Sequence, residues 1–116
     1  MARLEDLRKA QLGWDNPNSQ PLHPEAEENY LQFLVGIDES QSRDAEPMLT
    51  DEGFIRMEWR RDDHCFVAEI GPEYLYLCHL TPSHLDDSSW EGVFDIGKLN
   101  EFFNNGELPL GAEGLA

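Results

Sequence analysis

Three histidines and two cysteines stand in the stretch DDHCFVAEIGPEYLYLCHLTPSHLDD, residues 62–87, which carries an Asp-Asp pair at each end. Imidazoles, thiolates and carboxylates are the donors of transition-metal sites, so the first chemistry to weigh is metal binding. Zinc takes three or four such donors at tetrahedral positions, and the usual sequence mark is a close pair of the C-x-x-C or H-x-x-x-H kind. No such pair occurs. Cys65 and Cys78 are 13 residues apart, and His64, His79 and His84 share no ligand spacing. The residues therefore predict no metal and no cofactor. A small metal-binding protein or metal-dependent enzyme built on His64, His79, His84 and the nearby Asp residues is the competing class.

Catalysis without a metal meets similar objections. A carboxylate pair works as acid and base when one member is buried, whereas Asp62-Asp63 falls in a turn and Asp86-Asp87 in a polar loop. Ser83, His84 and Asp86 are the residue types of a hydrolase triad, but neighbours in one loop cannot reach triad geometry, and no G-x-S-x-G elbow is present. No glycine-rich phosphate loop or dinucleotide fingerprint occurs. Neither cysteine has a cationic neighbour in sequence to stabilise a thiolate. The expectation is a protein that is not an enzyme.

Charge is more informative. The chain has 24 acidic residues against 8 lysines and arginines, a formal net charge of −16 over 116 residues. Residues 62–116 contain 11 of the acids and one base, Lys98. Such a surface repels nucleic acid and anionic membrane, which argues against direct binding to either, and it accelerates encounter with basic proteins. No apolar run reaches membrane-spanning length, and MARLEDLRKAQLG is too charged for a secretory leader, so a cytoplasmic protein is expected, a host's cytoplasm if a phage encodes it. Twelve aromatic residues argue for a folded core, and the length suits one domain.

The elements that must position these residues can be read from periodicity. Arg3 to Leu12 reads as a short helix, followed by the breaker-rich GWDNPNSQPLHP, in which Trp14 plugs the loop onto the core. Pro24 opens a second helix with Ala26, Tyr30, Phe33, Leu34 and Ile37 inward and Glu25, Glu28, Asn29 and Gln32 toward water. Residues 38–53 read as a loop. Ile55, Met57 and Trp59 then alternate with Arg56, Glu58 and Arg60, the period of a half-buried strand. A tight turn near Arg61-Asp62 pairs Trp59 with Phe66, Met57 with Ala68 and Ile55 with Ile70. A two-residue turn at Gly71-Pro72 would place Phe66 across from Leu77, Ala68 across from Leu75 and Cys65 across from Cys78. Trp90, Gly92 and Phe94 suggest a fourth strand. Asp95 caps a last helix, with Phe94 and Leu99 as a hydrophobic staple and Gly106 as its stop.

The predicted architecture is α+β, a single domain over 1–116. A helical part spans 1–37, a loop 38–53, a three- to four-stranded antiparallel meander 54–94, a helix 95–105 and a frayed tail 106–116. In this register the face opposite the core carries Arg56, Glu58, Glu69, Tyr74, Tyr76 and Leu80, and aromatics ringed by charge are the composition of an interface. The alternative is that a helix or a second copy covers that face.

Leu4 and Leu7 in an L-x-x-L pattern, GWDNP, a proline-started helix ending in Phe33-Leu34, and the G-F-I-R-M-E-W run from Gly53 to Trp59 together resemble a widespread group of small bacterial and mobile-element proteins. In that group Trp-Asp is typically followed by glycine, where this chain has Asn16. The resemblance covers residues 4 to about 80 and implies a fold without a catalytic set. In type, a small and strongly acidic single domain also resembles phage-encoded anti-CRISPR inhibitors that mimic DNA, and, next to them, antitoxins that mask a basic toxin. That resemblance implies an inhibitor whose carboxylates occupy a basic, nucleic-acid-binding surface of a partner protein or effector complex. The expected contact residues are Asp62, Asp63, Glu69, Glu73, Asp86, Asp87 and Glu91, with Tyr74 and Tyr76 as anchors. A third possibility is a structural subunit whose acidity serves only solubility.

Overall fold

The computed structural model describes residues 3–37 and 45–109. Helices α1 (Arg3–Arg8) and α2 (Pro24–Val35) precede five strands, β1 (Pro47–Leu49), β2 (Ile55–Arg61), β3 (His64–Ile70), β4 (Leu75–Leu80) and β5 (Ser88–Gly92), and α3 (Ile96–Asn105) closes the described chain. The strands form one antiparallel sheet in the order β1-β2-β3-β4-β5, each paired with its neighbour in sequence. The fold is α+β, with one strand more than the meander expected. Among the described residues no helix is long and apolar enough to cross a membrane.

The β2–β3 hairpin has the expected register, Trp59 opposite Phe66, Met57 opposite Ala68 and Ile55 opposite Ile70. Its two-residue turn is Asp62-Asp63, both with positive φ (52° and 69°), the backbone of a type I′ turn that matches strand twist. Alternation sends Ile55, Met57, Trp59, Phe66, Ala68 and Ile70 to one face, where they are buried. Leu75 and Leu77 of β4 join them from the next strand, and α2 and α3 cover that face with Tyr30, Phe33, Leu99, Phe102 and Phe103. Trp59 meets Phe103 edge-on at 5.0 Å and Phe102 at 5.7 Å, and Phe33 meets Phe103 at 5.2 Å. Edge-to-face pairs of this kind add about 0.5–1.5 kcal/mol each beyond area burial.

Both main helices begin as their sequences dictate. Pro24 takes the first position of α2, and the His23 ring accepts from the Glu25 N–H at 3.2 Å. Asp95 accepts from the Lys98 N–H at 3.1 Å, and Gly106 ends α3 with φ 72°. Of the expected staple, Leu99 lies in the core cluster and Phe94 packs against it, partly buried.

Several expectations are corrected. The first helix ends at Arg8 rather than Leu12, because the Lys9 and Ala10 amides turn back to Asp6 and Leu7 through tighter bonds, and Leu12 is exposed. Trp14 does not plug the core. It is 39% exposed, its indole N–H donating to the Gln20 carbonyl at 2.7 Å within its own loop. The segment 38–53 is not all loop, since Pro47–Leu49 pairs with β2 as an edge strand, a place proline tolerates; residues 38–44 lie outside the described residues. β5 ends at Gly92, two residues before Phe94. Residues 110–116 of the expected tail also lie outside the described residues.

The β3–β4 connection is four residues long, not two. Ile70 pairs with Leu75, and the Gly71 N–H donates to the Tyr74 carbonyl at 2.8 Å. Phe66 therefore faces His79, Ala68 faces Leu77, and Cys65 faces Leu80 rather than Cys78, which faces Val67. The cause is Asn29. Its side-chain amide donates to the Gly71 and Pro72 carbonyls, both at 2.9 Å, so this residue of α2 holds the loop instead of facing water.

A polar network seats the loop after α1 on the β1–β2 turn. Ser19, fully buried, donates to Asp51 at 3.0 Å, Asn16 donates to the other Asp51 oxygen at 3.1 Å, and the Gln20 amide donates to the Asp51 carbonyl at 2.8 Å. Gly53 follows with φ 86°, and a side chain there would collide with the Pro21 carbonyl.

Candidate functional site

The antiparallel order divides the candidate residues between the two ends of the sheet. Asp62 and Asp63 at the β2–β3 turn, and Asp86 and Asp87 in the β4–β5 loop, lie at one end. Glu73 and Tyr74 in the β3–β4 loop lie at the other, and Glu69, Tyr76 and Glu91 stand toward that end on three adjacent strands. The nine residues expected to form one contact surface thus form two groups.

At the first end the histidines are largely occupied with one another. His64 Nδ1 and His79 Nε2 are 2.7 Å apart, with the rings stacked at 4.9 Å, and His79 also stacks on Phe66 at 4.6 Å. Partial burial and the His64 ring hold the His79 imidazole below its ordinary pKa, against the opposing pull of Asp87. Asp87 staples its own loop. It accepts from the Thr81 N–H at 2.6 Å, the Thr81 hydroxyl at 3.2 Å and His84 Nδ1 at 3.0 Å. The Thr81 amide, followed by the His84 ring, holds the Asp87 carboxyl below the usual aspartate range. Ser83 accepts from the Leu85 N–H at 3.3 Å and His84 pairs with Asp87, so Ser83, His84 and Asp86 do not assemble as a triad. Among the described residues no three His, Cys, Asp or Glu side chains converge to hold a metal ion. Cys65 and Cys78 are free thiols on offset rungs of the ladder.

The face of the sheet turned away from the helices is different in kind. No described helix packs on it. Its central rungs are apolar, with Val67 buried and Cys65, Cys78 and Leu80 half-buried. Beside them one lateral row crosses the strands in the order Met48, Arg56, Glu69, Tyr76, Glu91, each residue the cross-strand partner of the next. Arg56 pairs with Glu58 at 2.8 Å and approaches Glu69 at 3.7 Å. Partial burial, then the Glu52 carboxylate, push the Glu69 carboxyl up, and Arg56 offsets part of that rise. The Tyr74 ring lies 5.8 Å from Phe54. Its phenol is pushed up by burial and by Glu91, Glu69 and Glu52. The Tyr76 phenol is pushed up by the adjacent Cys78 thiol and by burial, with Arg56 opposing. The Glu73 and Glu91 side chains are exposed and make no hydrogen bond or ion pair with any described residue.

Sequence reasoning placed the open face correctly because the two-residue slip of β4 preserves parity. Two members escaped it. Met48 lies on a strand too short to show alternation, and Phe54 precedes β2 and packs against Tyr74 from outside the ladder. A groove along α3 lined by Asp95, Lys98, Glu101, Glu107 and Pro109 brings carboxylates near a lysine without a nucleophile or a histidine. No family model, curated protein or solved structure matches the chain.

Proposed function

We propose that this protein is a non-enzymatic inhibitor or neutralising partner that covers a basic, nucleic-acid-binding surface of another protein, in the manner of a DNA-mimicking anti-CRISPR protein. The observation that carries the reading is a set of exposed carboxylates with no side-chain partner among the described residues. Asp62, Asp63, Glu73, Asp86 and Glu91 make no hydrogen bond through their side chains and no ion pair with a described residue, in a chain of net charge −16. Acids that only stabilised the fold would be paired or capping, as Asp51, Asp87 and Asp95 are. Solubility alone is met by a net charge of about 2–8 in magnitude for a small domain. Carboxylates spaced over a rigid surface offer a phosphate-binding protein the attraction it presents to nucleic acid, which makes binding steeply salt-dependent. An antitoxin masking a basic toxin would use the same surface in the same way.

The test is capture of basic proteins from a lysate at low and high salt, with and without added DNA. Salt-sensitive capture that DNA displaces, and that Asp86→Lys with Glu91→Lys removes, supports the reading. Capture indifferent to salt, DNA and those charges sinks it. Asp87 is unsuitable for the charge reversal, because its loss would open the β4–β5 loop.

A further inference from the structure

Resting on that reading, we infer that the face of the sheet on which no described helix packs is the part that docks on the partner, and that it selects arginine over lysine. The occupant is a protein surface bearing guanidinium groups, and the argument is charge and shape complementarity across the lateral row.

The row runs cation, anion, aromatic, anion. Arg56 is followed by Glu69, Tyr76 and Glu91 on successive strands. The face already holds one guanidinium of its own, Arg56, between the Glu58 and Glu69 carboxylates and close enough to Tyr76 to act on its phenol. On the far side of Tyr76 the matching cation is missing. Glu91, directly across from Tyr76, has no ion-pair partner among the described residues. Tyr74, whose phenol feels Glu91, Glu69 and Glu52, extends the aromatic area at the same end. An aromatic ring bounded by carboxylates at strand spacing suits a planar, weakly hydrated cation that can lie on a ring while its edge donates two parallel hydrogen bonds. Arginine does this, and the compact, strongly hydrated ammonium of lysine does not. Half-buried Cys65, Cys78 and Leu80 supply the water-excluding centre that makes such contacts stronger. The acids at the opposite end, Asp62, Asp63 and Asp86, stand on an exposed turn and loop and attract either cation alike.

Oligoarginine and oligolysine peptides of equal length, titrated into the full chain at fixed low salt by calorimetry, separate the two recognitions. The expected result is about tenfold tighter binding of the arginine peptide. That preference falls in Tyr76→Ala and in Glu91→Gln and is kept in Tyr76→Phe, which retains the ring if the alanine variant folds poorly. Asp62→Asn with Asp63→Gly should weaken both peptides equally. Equal affinity for the two peptides, unchanged by Tyr76→Ala and Glu91→Gln, overturns the arginine selection and leaves the polyanion reading standing. Failure of both peptides to bind at low salt overturns that reading and the inference with it.

Discussion

His64 on β3 and His79 on β4 share one hydrogen bond of 2.7 Å between ring nitrogens, with the rings stacked. Only one nitrogen of the pair can donate in that bond, so the arrangement accommodates at most one imidazolium. The His79 pKa is lowered from 6.5, its first cause being burial and its second the neighbouring ring. The unfolded chain therefore binds the proton that the folded chain refuses. The stabilisation is fully present above the unfolded value near 6.5 and is lost as pH falls through the folded His79 value. A thermal melt series should show Tm falling as pH drops from about 6.5 toward the folded His79 value and no further loss from this group below it, and His79→Phe should flatten the dependence. A slope in the variant equal to the wild type would remove the pair as its source. Asp87, whose pKa is depressed from 3.8, acts in a separate window. Its contribution is present above 3.8 and lost only in stronger acid.

Asp51 ties two distant segments together, receiving Ser19 and Asn16 on its two carboxylate oxygens. Asp51→Ala leaves the buried Ser19 hydroxyl without its acceptor and should cost about 1–3 kcal/mol in chemical denaturation. A variant as stable as the wild type would mean that the loop is held by its backbone bonds alone.

Gly53 stands where a methyl group would strike the Pro21 carbonyl, with φ at 86°. Gly53→Ala should destabilise by ~2 kcal/mol or more, combining left-handed backbone strain with the collision. The G-F-I-R-M-E-W glycine thus has a packing reason, readable as a drop in the denaturation midpoint.

Asp62 and Asp63 occupy a turn in which both residues have positive φ and in which Asn-Gly is the preferred pair. Asp62→Asn with Asp63→Gly should raise stability by about 1 kcal/mol. If the midpoint instead falls, the two carboxylates contribute to the fold and not only to the surface charge.

How far these features were legible from the residues follows from the range of the forces involved. The β2–β3 register depends on alternation and a tight turn, both local, and it was read correctly. The β3–β4 register differs from the expected one by two residues, and the longer loop is braced by Asn29, more than forty positions away, which no local pattern reveals. A slip of two keeps every side chain on its face, which is why the open surface was found although the Cys65–Cys78 opposition was not. β1 was missed because three residues headed by a proline carry no period, and only the free edge of β2 makes them a strand. Trp14 was assigned by size alone, while its indole N–H found an acceptor in its own loop. For the expected contact residues, residue type singled out the carboxylates, and the strand order divides them between the two ends of the sheet.

The meander has a consequence for how the chain reaches this state. Every strand meets the strand just before it, so the sheet can grow in the order of synthesis with only short loops to close, a topology associated with fast folding. The face that the helices cover is completed differently. Trp59 and Phe66 receive Phe102 and Phe103 from the last described helix, so a nascent chain stopped before residue 96 would carry a paired sheet whose aromatic side is covered by α2 but not by α3. Packing of α3 is then the step that closes the core over Trp59.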